Sequence, residues 1–285
     1  MRKPNTKTLL AVQHIRTRAS KKIGRPKKKP HTWLFPQGQE IKYTKDLYSL
    51  TRELSRLIKE ILYPAIPQMV AEVQIKTPND RQDDFLGTLR SLIVFIRKSI
   101  QSKVDYTILE AVNIGAQISA FNHAQFQKVN ENVLGINLFI HEPWLADQLK
   151  LFSSQNAQLI TSIPDEELES VAGIVERGLQ NGDRITEIEK DIQKSFGITH
   201  RRAKLIARDQ TTKLNASLTR LRQQEAGVTE YVWQTSGDER VRPTHKANDG
   251  KTFKWDKPPA TGHPGTAINC RCVALPVLDD LLTFP

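Results

Sequence analysis

The sequence predicts an α+β fold: a mostly helical body, a small β-rich module near its C-terminal end, and a disordered basic arm in front. Three observations predict it. Apolar residues recur at three- and four-residue spacing from about Thr44 to Gly227, as on the buried stripe of a helix. After Gly227 the period becomes two and turn-forming residues crowd together. Before Thr44 helical periodicity is lacking, and Pro4, Pro26, Pro30 and Pro36 interrupt the chain. At roughly 100–200 residues per domain, 285 residues make one large or two small domains. The expected linear division is a disordered arm at 1–43, a helical domain at 44–139, a second domain at 140–277 that runs from helices into the β-rich module, and a tail at 278–285.

The elements follow in order. Leu47, Leu50, Leu54, Leu57, Ile58 and Ile61 mark a first helix, with Thr44 as N-cap and Pro64 as its stop. A second spans about 79–101, with Phe85, Leu89, Leu92, Ile93, Ile96 and Ile100 inward. A third covers about 105–131, carries Ile108, Val112, Ile118 and Phe121, and is broken by Gly135. Pro143 suits the first position of a fourth helix, whose Trp144, Leu145, Leu149, Phe152, Leu159 and Ile160 lead to about Thr161. Ser162-Ile163-Pro164-Asp165 has the capping serine, early proline and first-turn acid of a new start. That helix closes at Asn181-Gly182. A short one with Ile185, Ile188 and Ile192 follows, and Thr199 caps a long one through Ala203, Ile206, Leu214 and Leu218 to Gly227. Tyr231-Val232-Trp233 reads as a strand. Asn248-Asp249-Gly250 signals a tight turn before a strand at Thr252-Phe253-Lys254-Trp255, and a last strand runs from Cys270 to Val277.

Charge and composition narrow the function classes. Residues 1–30 hold eleven bases and no acid. Taking those from 42 leaves 31 bases against 31 acids, so the net +11 resides in the arm and the body is neutral. Block charge of this kind suits a polyanion. Arg16, Arg18, Lys21, Lys22, Arg25, Lys27, Lys28 and Lys29 are the expected contacts to double-stranded DNA, without sequence preference. Gly24-Arg25-Pro26-Lys27 resembles half of an AT-hook, but Ile23 stands where that motif has Arg, so a generic phosphate-contacting tract is favoured. Trp33-Leu34-Phe35 forms an apolar knot that either anchors a partner or caps the first domain. Trp33, Phe35 and Tyr43 could stack on single-stranded bases, though packing on protein is the favoured reading. Two cysteines exclude a disulfide-rich secreted scaffold. The longest apolar run, Leu92 to Ile96, is far too short for a membrane span, and the basic N-terminus lacks the apolar stretch of a secretory signal.

Chemistry-bearing residues concentrate between Trp233 and Cys272. His245, His263, Cys270 and Cys272 are potential ligands for a borderline metal, and two cysteines two apart on a strand would point to one face. Two readings stand: a Cys2His2 zinc set, and buried thiols without metal, which the non-standard spacing favours. Asp238, Glu239, Arg240, His245 and Asp249 could in principle form a metal-dependent nuclease site. The favoured alternative is architectural: Asp238 and Arg240 pin a turn, His245 bonds to backbone, and Arg271 pairs with a carboxylate of the helical body. No familiar hydrolase, phosphate-loop or dinucleotide fingerprint is present, and no catalytic residue is assigned.

Taken in order, these residues resemble a known family. Trp233, Asp238, Arg240, Arg242, His245, Asp249 and Gly250, then Pro264, Gly265, Asn269, Cys270, Arg271 and Cys272, are similar to the motif of phage Mu F-like minor head proteins, the phage head morphogenesis domain. Upstream, Asn156, Leu159, Ile160 and Ile163 resemble the entry to that domain, and Arg202-Ala203, Ile206-Ala207-Arg208 its long helix. Where the family continues with Thr-Glu this chain has Asp209-Gln210. The resemblance covers about 140–277. It implies a non-enzymatic minor head protein of a tailed bacteriophage or prophage. Such a protein would be assembled in the bacterial cytoplasm, reside in the head interior of the virion, associate with the portal, and serve DNA packaging or ejection. The chain ends eight residues past the last expected strand, so no C-terminal effector module is expected. The rival function is a zinc-dependent nuclease acting on DNA through His245, His263 and the cysteines, which lacks a second carboxylate cluster for metal-assisted hydrolysis.

Overall fold

Five long or medium helices precede a three-stranded sheet in the computed structural model, which describes residues 32–75, 81–135 and 137–278. They are α1 (Gln37–Ile61), α2 (Ile66–Ile75), α3 (Arg81–Leu134), α4 (Leu145–Asn181) and α5 (Ile185–Glu225). Strand β1 (Glu230–Gln234), a single turn of helix α6 (Pro243–Lys246), β2 (Thr252–Lys254) and β3 (Val273–Pro276) complete the fold. The expected α+β class is therefore the observed one. The basic positions from Arg16 to Lys29 lie outside the described residues.

The helices are fewer and longer than expected, because several sequence signals for breaks are overridden. The expected second and third helices are one helix, α3, of 54 residues, since nothing between Gln101 and Asp105 interrupts the backbone. Pro164 lies inside α4 rather than at a helix start. A proline there forfeits one backbone hydrogen bond. Apolar burial on both sides, at Ile160, Ile163, Leu168 and Val171, holds the helix through it. Thr199 lies within α5, where its hydroxyl bonds the buried Glu167 carboxylate instead of capping. α3, α4 and α5 end at a left-handed glycine: Gly135, Gly182 and Gly227 have φ of 72°, 75° and 82°.

The end of the expected arm is also corrected. Residues from Gln37 onward are helical, so Thr44 is not a cap. Trp33 is 1% exposed, edge-on to Phe126 at 6.4 Å between ring centroids, and its carbonyl accepts from Gln234 Nε2 at 3.2 Å. The aromatic knot is thus a core element, and burying an indole is enough to fix the chain ahead of α1.

Two compact units are interleaved along the chain, where the sequence suggests a linear succession. One comprises 41–75, 81–113 and 153–207, with a core of Leu47, Leu50, Leu54, Ile58, Ile96 and Val171 among others. The other comprises 32–40, 114–135, 137–152 and 208–278. In the second unit the sheet has the order β2-β1-β3, antiparallel throughout, with Tyr231 opposite Phe253 and Val232 opposite Leu275. Tyr231 and Trp233 point inward from the central strand and Val232 is only partly buried, the alternation of a half-buried sheet. Along α3 the inward face departs from expectation. Val112 is exposed, while Thr107, Ala111, Ile114, Ile118 and Asn122 are buried, because polar residues share the stripe.

Candidate metal centre and motif cluster

The motif residues converge in the second unit, and most hold backbone in place. Asp238 Oδ1 accepts from the Arg240 N–H at 3.2 Å and from Ser236 Oγ at 3.3 Å, so the turn is pinned by a backbone donor rather than by the Arg240 guanidinium. Arg242 Nη2 donates to the Ile268 carbonyl at 2.8 Å and tethers the 258–272 loop. Asp249 Oδ1 accepts from the Thr235 N–H at 2.7 Å, and Gly250 turns the chain with φ of 73° while its N–H reaches the Trp233 carbonyl at 2.8 Å.

Gly265 is required twice over. Its φ is 80°, and a Cβ there would lie 2.5 Å from the Ala216 Cβ on α5. This close approach lets its N–H donate to Cys270 Sγ at 3.4 Å. Asn269 also has positive φ, 60°, a conformation asparagine tolerates. That left-handed residue explains a second correction. Cys270 and Cys272 are not on the final strand, which begins at Val273; Cys270 closes a turn in which its N–H bonds the Ala267 carbonyl, and Cys272 follows in irregular chain.

The turn brings both thiols to His245. Pro243 starts the single turn α6 and places the His245 ring inward, 5% exposed. Cys270 Sγ lies 3.5 Å and Cys272 Sγ 3.6 Å from His245 Nδ1, and all three donor atoms lie within 4.8 Å of one another. Trp233 packs edge-on against the imidazole at 5.3 Å, and its buried indole N–H is directed to the Cys272 thiol, whose charged form it favours. The thiols titrate as a pair. A hydrogen bond from Cys272 holds the Cys270 thiol below the ordinary thiol range, helped by the Gly265 N–H, and the Cys272 proton is correspondingly held. His263, the fourth expected ligand, is elsewhere. Its Nδ1 is 2.9 Å from Tyr231 Oη, and burial, with the nearby charge of Arg220, lowers its pKa.

A cavity of about 230 Å³ borders this trio. Arg208, Arg240, Arg242 and Arg271, with Asp238, also line it. Arg271 does pair with a helical carboxylate: its Nη2 lies 2.9 Å from Glu40 Oε1, and Arg208 Nε reaches the same oxygen at 3.0 Å. Glu40 is buried, and Phe35 lies under the Arg271 guanidinium at 5.7 Å. Glu40 escapes sequence reasoning because it falls in the stretch taken for the arm. The usable signal was Pro36 followed by an acid in a first turn.

Comparison with known proteins follows this geometry. The profile described as "Phage Mu protein F like protein" matches residues 169–275, from within α4 to the third residue of β3. Residues 169–275 are thus similar to the Phage Mu protein F like family. The matched segment includes the motif from Trp233 to Cys272. An uncharacterized protein of Haemophilus influenzae is 39% identical over 165 residues, covering 56% of this chain. The aligned part is 37% of that relative's length, so the chain corresponds to well under half of it. No solved structure matches the chain. Among the described residues, no helix is long and apolar enough to cross a membrane.

Proposed function

We propose that this chain is a minor head protein of a tailed bacteriophage or prophage. In this reading it associates with the portal, takes part in head assembly and in DNA packaging or ejection, and holds duplex DNA through the basic residues of its first thirty positions. It is assembled in the bacterial cytoplasm and retained in the virion head, with no membrane partner. The Mu F-like match at 169–275 carries the reading. The use to which its motif is put supports a structural role: Asp238, Arg242, Asp249, Gly265 and Arg271 are each engaged in shaping the module. The test is co-expression with the portal protein of the same phage or prophage. The full chain is expected to co-sediment with portal rings and to be present in purified particles. Failure in both would overturn the reading. Plasmid nicking by the purified protein with divalent metal, lost in His245→Ala, would instead favour a zinc-dependent nuclease.

A further inference from the structure

We propose that His245, Cys270 and Cys272 bind one zinc ion, with the remaining coordination position turned to the arginine-lined cavity. A zinc ion holds thiolate sulfur at about 2.3 Å and imidazole nitrogen at about 2.0–2.1 Å with tetrahedral angles, which sets a sulfur-to-nitrogen edge of about 3.5–3.6 Å. The two edges here are 3.5 and 3.6 Å. Hydrogen bonding between thiols and imidazole does not account for both. Nδ1 has a single lone pair and can accept one proton well, yet two sulfurs stand equidistant from it. Equal spacing from one nitrogen is what ligands around a common centre adopt.

The surroundings suit a metal thiolate. The Gly265 N–H already points at Cys270 Sγ, and donors of this kind orient and stabilise ligating sulfur. The Trp233 ring packs edge-on against the His245 imidazole at 5.3 Å and fixes its orientation. All three donors are buried, so the ion would be shielded on the protein side. Three protein ligands leave one tetrahedral position, as in sites that keep water or an exogenous ligand. The bordering cavity, with Arg208, Arg240, Arg242 and Arg271 in its wall, suits water or a small anion there. His263 is not among the donors that lie within 4.8 Å of one another.

The experiment uses the full chain, purified with a non-thiol reductant and no chelator. Elemental analysis is expected to find one zinc per chain. Cobalt(II) added to stripped protein is expected to saturate at one equivalent, with the visible bands of a tetrahedral ion and the charge transfer of two thiolates. His263→Ala should retain both signals. Cys270→Ser should weaken cobalt binding by more than about 100-fold, since losing a mere outer-shell partner already costs 10–100-fold. Cys272→His keeps a ligand in place and should halve the thiolate charge transfer; it serves if the serine variant does not fold. A metal-free protein whose cobalt titration shows no thiolate band would overturn the site. So would a stoichiometric metal other than zinc, or its loss in His263→Ala.

Discussion

Arg222 spends all five of its N–H donors inside the protein, on the Glu142 carboxylate, the Ser119 backbone and hydroxyl, and Asn122 Oδ1. It is 1% exposed, so truncation would leave Asn122 Oδ1 without its donor and Glu142 with His123 alone. Arg222→Ala is therefore expected to destabilise the protein by about 3–5 kcal/mol, read from the denaturant midpoint. Burial alone pushes the Glu142 pKa up, but the Arg222 hydrogen bonds and charge, with His123, outweigh it and hold the carboxyl below the ordinary glutamate range. A carboxyl held low binds fewer protons folded than unfolded. Its contribution is complete above the ordinary value of about 4.3, and is lost as pH falls from there through the lowered value. Melting temperature should fall more steeply with acid below about pH 4.3 in the parent protein than in Glu142→Gln. None of this is legible in Leu221-Arg222-Gln223, because only the tertiary fold decides that this arginine faces inward. The cluster from Trp233 to Cys272 is legible, since rare residue types and turn formers coincide there. Which of two histidines turns toward the thiols is not, because α6 and the 258–272 loop decide it.

At the scale of elements, polar residues that cap helices elsewhere are used laterally here. The Ser162 hydroxyl donates to the Leu159 carbonyl and accepts from Arg202 Nη2, both at 2.8 Å. Thr199 and Ser195 both donate to the buried Glu167. A capping signature states only what a side chain can satisfy, and burial on both sides of the apparent break outweighs it. The glycine stops succeed for the opposite reason, since positive φ at Gly135, Gly182 and Gly227 is a backbone requirement that packing cannot supply. The continuity of α4 is testable at Pro164. Within a helix, Pro164→Ala restores a backbone donor and should raise stability, by up to about 3 kcal/mol, seen as a higher melting temperature. An unchanged or lower one would mean that a helix does start at Ser162.

For the whole molecule the decisive asymmetry is electrostatic. All of the net +11 belongs to residues 1–30, and the remaining 255 residues sum to zero. A neutral body neither attracts nor repels DNA at distances beyond the screening length, about 8–10 Å in physiological salt. Affinity for duplex should therefore belong to the first thirty residues, be indifferent to sequence, and decline steeply with salt. If about six to eight of the eleven bases neutralise phosphates, the slope of log affinity against log salt should be roughly −5 to −7. Deleting residues 2–30 should abolish duplex binding at moderate salt. It should leave the helical body folded, because Trp33 and everything after it keep their core contacts. Fluorescence anisotropy of a labelled duplex across a salt series, with full-length and truncated protein side by side, makes the measurement. Equal affinity and equal slope in the two proteins would transfer DNA binding to the folded body and remove the arm from the mechanism.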